Sequence, residues 1–385
     1  MRIIYFVDNK LGGVTSLNFN LTSFITDTDI EQWVIHIDLE ELKMAKANMI
    51  YPVNKNITFT YSAFDNVYHV IHNLYQLIPE EAGVLVVNYE LEMEMLDHFE
   101  VNQTVYQLVH DEYNLRLSIK YSHVVDIFIA HNQYIFERLQ RNLPDRKKDI
   151  YYLPHGVKVP SIYRVHEPVG DTKPIKLLFL GRMSSSKGIF DLPRINEILN
   201  SKKIEFEWIC IGNGPELEDL KKGWDAIDKV EFISPASNDE VIMICSKQDI
   251  FVLPTKFEGS PVSLIETMSV GVVPVITDLP GSIQEIVDKD IGFRITEGDN
   301  FGFASAIETL SLNRTLLGEL GKTCRQKIER EFDIKLTSLS YIELFRQFSK
   351  RRKDKLLKKS KIGARLDQPW ISPLLTRFLR KISNW

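Results

Sequence analysis

Four side chains between positions 182 and 266 have types and spacing that suit chemistry on a phosphorylated molecule. Arg182 and Lys187 lie five positions apart in LGRMSSSKG (180–188), directly after an apolar run. A planar guanidinium fork and a mobile ammonium suit a diphosphate; the same pair also fits a solvated basic turn. Glu258 and Glu266 flank a Ser-Pro pair in EGSPVSLIE (258–266). Read alone, that stretch is an ordinary helix start, with Ser260 as N-cap and Pro261 at the first helical position. Two glycine turns add to the set. NKLGGVTS (9–16) follows the first strand candidate, and its Gly12 and Gly13 allow close backbone approach ahead of a helix whose N–H groups face an anion. IGNGPELEDL (211–220) leaves another strand through Gly212 and Gly214, a turn that also lets a flat base or ribose approach the backbone. Neither loop is a G-x-G-x-x-G fingerprint or a Walker A sequence, which disfavours a dinucleotide dehydrogenase and a P-loop ATPase.

The elements that must position these residues alternate between strand and helix. Apolar runs at 2–7, 32–37, 83–88, 104–109 and 124–130 form one series of strand candidates, and 176–181, 206–212, 230–233, 249–254 and 272–277 form a second. Runs apolar on both faces are expected of parallel strands covered by helices. The four-proline stretch 153–174 reads as the link between two such series. The expected fold class is therefore α/β, with two Rossmann-like doubly wound domains facing across a cleft. Residues 1–160 form the first and 161–333 the second.

Composition bounds the rest. A chain of 385 residues, 44% hydrophobic, fits two soluble domains. No apolar run approaches the roughly 18 residues that span a bilayer. Asp8 comes too early for a secretory leader, so the expected location is cytoplasmic. Cys210, Cys245 and Cys324 are scattered, which suggests neither a disulfide framework nor a metal cluster.

Taken in order, LGRMSSSKG, IGNGPE and FVLPTKFEGSPVSLIETMSVGVVPVITD resemble the retaining GT-B glycosyltransferases of glycosyltransferase family 4, the glycosyl transferases group 1. The resemblance is specific over 176–290 and weaker before it. It implies that Glu258 faces the donor sugar's hydroxyls and that Glu266 accepts hydrogen bonds from the ribose. Backbone N–H groups near Ser263 and Leu264 would then hold phosphate. Arg182 and Lys187 match the family's cationic pair on the diphosphate, where they would stabilise the leaving group in place of a metal. Gly12 and Gly13 match its first-loop glycines. His110, in LVHDEY, matches a histidine that contacts the donor sugar or phosphate. His155 stands where many relatives carry asparagine and is given no role, and His131 reads as structural. A D-x-D motif would suggest a metal-dependent transferase, but the DTD at Asp27–Asp29 reads as a helix-terminating turn. The family retains anomeric configuration, either by double displacement or by same-face attack. The second is preferred, because no carboxylate nucleophile is identifiable.

The implied function is a metal-independent transferase, without cofactor, that moves a sugar from a nucleoside diphosphate, UDP favoured, to a glycan or polyprenyl-linked acceptor in bacterial cell-surface polysaccharide synthesis. The alternatives are a non-catalytic sugar-nucleotide-binding partner in an assembly complex and another GT-B enzyme such as a sugar-nucleotide epimerase.

The tail stands apart. Residues 346–385 carry 13 Lys/Arg against Asp354 and Asp367, while the remainder carries 34 basic and 50 acidic residues. Residues 334–349 read as a helix that the resemblance would carry back to the first domain. KRRKDKLLKKSK (350–361) is a basic run. In WISPLLTRFLRKISNW (370–385), Trp370, Ile371, Leu374, Leu375, Phe378, Leu379, Ile382 and Trp385 make one apolar helical stripe. Basic run and stripe together suggest an interfacial helix on an anionic membrane, on the cytoplasmic face of the inner membrane. Packing of the stripe on protein is the other reading. No recognition module accompanies the basic residues, which disfavours nucleic acid.

Overall fold

In a computed structural model of the protein, the described residues are 1–9, 13–41, 49–163, 173–224, 230–234, 237–348 and 362–382. The chain divides into two compact units, Met1–Pro154 with Ser338–Trp385, and His155–Thr337.

The first unit holds seven strands: β1 (Arg2–Asp8), β2 (Glu31–Leu39), β3 (Lys55–Tyr61), β4 (Val84–Val87), β5 (Thr104–Val109), β6 (Ile127–Ala130) and β7 (Ile150–Tyr152). They form one parallel sheet in the order β3-β2-β1-β4-β5-β6-β7. Successive residues of the central strands enter two separate cores. Ile4, Phe6, Leu85 and Val87 lie in one, and Ile3, Tyr5, Val84 and Val86 in the other. That is why these strands are apolar at every position rather than at alternate ones. The edge strand β3 differs: KNITFTY alternates and is half exposed.

The second unit repeats the plan with β8 (Ile175–Leu180), β9 (Phe206–Ile211), β10 (Val230–Ile233), β11 (Ile250–Leu253), β12 (Val273–Thr277) and β13 (Phe293–Ile295). Their order is β10-β9-β8-β11-β12-β13, again parallel. Both sheets are doubly wound Rossmann-like sheets, as expected from the sequence. In each, the strand order reverses beside the first strand, between β1 and β4 and between β8 and β11. Ligands of such sheets bind at the carboxyl ends of strands flanking that reversal.

Two boundaries differ from the sequence expectation. Residues 155–160 fall in the second unit, because Val157 bridges Asp333 and its side chain enters the second core. The helix Ile334–Phe348 begins in the second unit, and its Tyr341, Ile342, Leu344 and Phe345 lie in a core of the first. Asp27–Asp29 does form a turn after the helix Gly13–Phe24, with both carboxylates held by Arg346 at 2.8–2.9 Å. The C-terminal helix spans Pro373–Ile382, shorter than the stripe in the sequence. The basic run 350–361 lies outside the described residues. No described helix is long and apolar enough to cross a membrane.

Candidate active site

The loops after β8 and β11 leave neighbouring strands that flank the reversal in strand order, and their backbones are fastened together. Lys256 N–H donates to the Ser186 carbonyl at 2.9 Å, and Thr255 Oγ1 donates to the same oxygen at 3.2 Å. Gly188 ends the short turn Ser185–Lys187 in the left-handed region at φ 68°. An added Cβ there would stand 1.7 Å from the Pro254 carbonyl oxygen, so glycine alone allows this approach.

The consequence is a direct pair between the two loops. Lys187 Nζ lies 2.6 Å from Glu258 Oε1, and the Glu258 side chain is only 5% exposed. A cation and a carboxylate that the sequence places 71 positions apart thus meet at the strand ends. Arg182 is exposed and its side chain has no hydrogen bond or ion pair among the described residues, which leaves its guanidinium free for an anion.

A third loop supports Arg182 from behind. Met183 N–H donates to the Asn213 carbonyl at 3.0 Å, and Gly181 N–H to that of Ile211 at 3.0 Å. A Cβ on Gly212 would meet the Gly181 carbonyl oxygen at 1.9 Å, and one on Gly214 the Met183 carbonyl oxygen at 2.2 Å. These glycines therefore face the backbone of the cationic loop. On the side where a Cβ would stand, both positions pack against the backbone of Gly181–Met183.

The helix Val262–Ser269 starts one residue later than expected. Pro261 is the residue before it, at φ −77° and ψ 81°, and neither it nor Ser260 caps the helix by a side chain. Leu264 N–H donates to the Pro261 carbonyl at 3.1 Å, so it is not available to phosphate as expected. Ser263 N–H has no partner among the described residues and is half-buried at the uncapped positive end of the helix dipole.

Glu266 lies on that helix, buried, with Asn238 donating to its carboxylate. Burial pushes its carboxyl up to about 7, and the Asn238 hydrogen bond pulls the other way. A buried carboxylate near its titration point gains from hydroxyl donors, which favour the charged form. The raised value also has a stability cost. The folded chain keeps a proton that the unfolded chain, with an ordinary value of 4.5, has shed. Stability therefore falls as pH rises from that value toward about 7 and levels off above it. Glu266→Gln is expected to gain about 2–3 kcal/mol on the parent between pH 5 and pH 8. Urea midpoints across that range check this; a constant difference would contradict it.

Gly13 and His110 lie in the first unit. Gly13 opens the helix Gly13–Phe24, and Gly12 lies outside the described residues. His110 follows β5 and is buried. Its Nε2 lies 3.2 Å from Asn88 Oδ1. Asn88 sits at the end of β4, and its amide nitrogen donates to the Phe6 carbonyl of β1 at 2.9 Å. That fixes Oδ1 as the acceptor and His110 Nε2 as the donor, which leaves Nδ1 as an acceptor. Burial holds the imidazole down at about 3, so the ring is neutral. A neutral acceptor suits a sugar hydroxyl rather than a phosphate oxygen. His131 stands 4.4 Å away, edge to face, and is held by Tyr341 Oη at 2.9 Å. Asn114 accepts from the His110 backbone N–H at 3.3 Å and donates to the Asn88 carbonyl at 2.6 Å. Sequence reasoning missed Asn88, Asn114 and Asn238. An asparagine at a strand's carboxyl end is the signal that would have found Asn88. Among the described residues, no three or more His, Cys, Asp or Glu side chains gather as a metal site.

Residues 165–329 match the family described as Glycosyl transferases group 1. That stretch contains β8 to β13 and every candidate of the second unit. A capsular polysaccharide biosynthesis glycosyltransferase of Staphylococcus aureus is 26% identical over 186 residues, 46% of this chain and 47% of that protein. An amylovoran biosynthesis glycosyltransferase of Erwinia amylovora is 28% identical over 171 residues, 42% of each chain. The matches thus span less than half the length of these curated relatives. The structure of HepE of Anabaena, solved with UDP and glucose, superposes with a TM-score of 0.69 at 14% identity, covering 90% of this chain and all of that one. At that identity the likeness is one of fold, the GT-B fold of two Rossmann-like domains.

Proposed function

We propose that the protein is a glycosyltransferase of bacterial polysaccharide synthesis that moves a sugar from a nucleoside diphosphate to a glycan or lipid-linked acceptor, without a divalent metal. The observation that carries this reading is the second-unit constellation. An Arg182 side chain with no partner among the described residues, a Lys187 held beside the enclosed side chain of Glu258 and an uncapped helix N-terminus all lie at the strand ends beside the topological reversal. The names of the sequence relatives support the activity, and the UDP in the HepE structure supports a uridine donor.

The chemistry follows from charge. Breaking the bond between the sugar's anomeric carbon and the diphosphate oxygen puts negative charge on the departing nucleotide. Positioned cations stabilise that charge most as it develops. The incoming diphosphate competes with Glu258 for Lys187, and Ser263 N–H adds a neutral donor. Glu258, relieved of its partner, then accepts from the sugar's hydroxyls, while Glu266 takes the ribose. The acceptor's hydroxyl oxygen attacks the same face of the anomeric carbon as the diphosphate leaves, its proton passes to the departing diphosphate oxygen, and the sugar keeps its anomeric configuration.

A donor screen tests this. UDP at about one hundred times its Kd is expected to add about 2.7 kcal/mol of stability, which raises Tm by several degrees. Transfer from the matching UDP-sugar is expected to be unchanged by EDTA. Loss of transfer in EDTA would overturn the metal-free mechanism. Nucleotide binding without turnover on any acceptor would favour a non-catalytic partner.

A further inference from the structure

The apolar stripe of the C-terminal helix is turned outward, and the contacts of its polar side explain how. Thr376 is fully buried and donates to the Leu366 carbonyl at 3.2 Å. Arg380 pairs with the buried Asp367 at 2.7 Å and also donates to the Asp65 carbonyl. Arg377 binds Glu40 and lies 3.6 Å from Asp65. Asn66 locks the segment leading into the helix: its amide donates to the carbonyls of Leu366, Gln368 and Ile371 at 2.9, 3.1 and 3.2 Å. A surface helix ordinarily faces its own protein with the apolar side. Here the arginines are spent on carboxylates of the first unit, and Trp370, Leu374, Phe378 and Ile382 are 61–81% exposed. Contiguous apolar surface of this kind marks an interaction site.

We propose that this face seats on an anionic lipid bilayer, with the first unit held at a fixed orientation to the surface. Charge selects this occupant. Arg365 and Lys381 beside the stripe are exposed and have no ion pair among the described residues. Residues 350–361 carry eight Lys/Arg against Asp354. A second copy meeting this face about a two-fold axis would bring its own Arg365 and Lys381 toward these cations. An anionic surface converts the same charge into attraction, and Trp, Phe and Leu on one side of a basic helix suit the depth of the headgroup boundary. The inference does not depend on the transferase reading.

The test uses the full chain in sedimentation with vesicles of phosphatidylcholine containing about one-third phosphatidylglycerol. Binding is expected there, and to fall at least about tenfold on pure phosphatidylcholine or in about 0.5 M salt. The double variant Leu374→Ser, Phe378→Ser is expected to lose at least about tenfold in vesicle binding. Its Tm and its Tm shift with UDP should match the parent, since both side chains are exposed. Failure of the parent to bind anionic vesicles, or equal binding by the double variant, overturns the proposal. A dimer in sedimentation velocity that the double variant dissociates, with no vesicle binding by the parent, assigns the face to a second copy instead.

Discussion

Arg182→Ala and Lys187→Ala are each expected to lower kcat for sugar transfer by about 10²-fold or more, with the two effects separable by stability. The Arg182 side chain is exposed and without a partner among the described residues, so its removal should leave stability within about 0.5 kcal/mol of the parent. Any rate lost there belongs to the bound diphosphate. Lys187 has two tasks. Its loss removes a cation from the leaving group and also leaves Glu258, 5% exposed in its side chain, without a counterion. The second consequence costs on the order of 1–3 kcal/mol of folding stability. The double variant Lys187→Ala, Glu258→Gln removes the stranded charge and should recover most of that stability. It should not recover the rate, because the leaving group still lacks its cation. Steady-state kinetics and urea melts on the three variants decide the matter. Near-normal kcat in both alanine variants would sink the diphosphate assignment, and recovery of rate in the double variant would reduce Lys187 to a support for Glu258.

The sheets were legible in the sequence wherever strands are buried on both faces, since such strands show as unbroken apolar runs. Three strands escaped that reading for two physical reasons. The edge strand β3 is half exposed, so KNITFTY alternates with polar residues. β7 and β13 are three residues long, too short to stand out from a loop. The site was legible as residue types and not as contacts. Arg182, Lys187, Glu258 and Glu266 could be singled out because each lies beside a strand end or helix start. Nothing in the one-dimensional pattern shows that Lys187 and Glu258 touch, because that depends on which strands are neighbours in the sheet. The same holds for His110. Its protonation follows from burial, and its tautomer follows from Asn88 being fixed by a carbonyl of β1. The glycines show what a sequence leaves open. Gly212 and Gly214 looked like space left for a ligand, and their missing side chains make room for the backbone of Gly181–Met183. A glycine in a sequence marks close approach without saying what approaches.

That distinction gives the second large effect, at Gly188. Gly188→Ala is expected to cost about 3 kcal/mol or more and to abolish nucleoside-diphosphate binding. Two contributions add. The residue sits at φ 68°, where an ordinary L side chain is strained by about 1–2 kcal/mol. The new methyl would also stand 1.7 Å from the Pro254 carbonyl oxygen. No rotamer relieves a Cβ contact with backbone, so the loop after β8 must move away from the loop after β11. That motion breaks the Lys256–Ser186 backbone bond and carries Lys187 away from Glu258. Gly298 supplies the control within the same chain. Its φ of 78° imposes the same kind of strain, but an added Cβ there meets nothing within 4 Å. Gly298→Ala should therefore cost only the backbone share, about 1–2 kcal/mol, and leave binding intact. Urea melts of the two variants, each with and without UDP, isolate the close approach of the loops as the difference between them. Equal destabilisation with retained binding in both would show that the two loops need not touch for the cationic site to form.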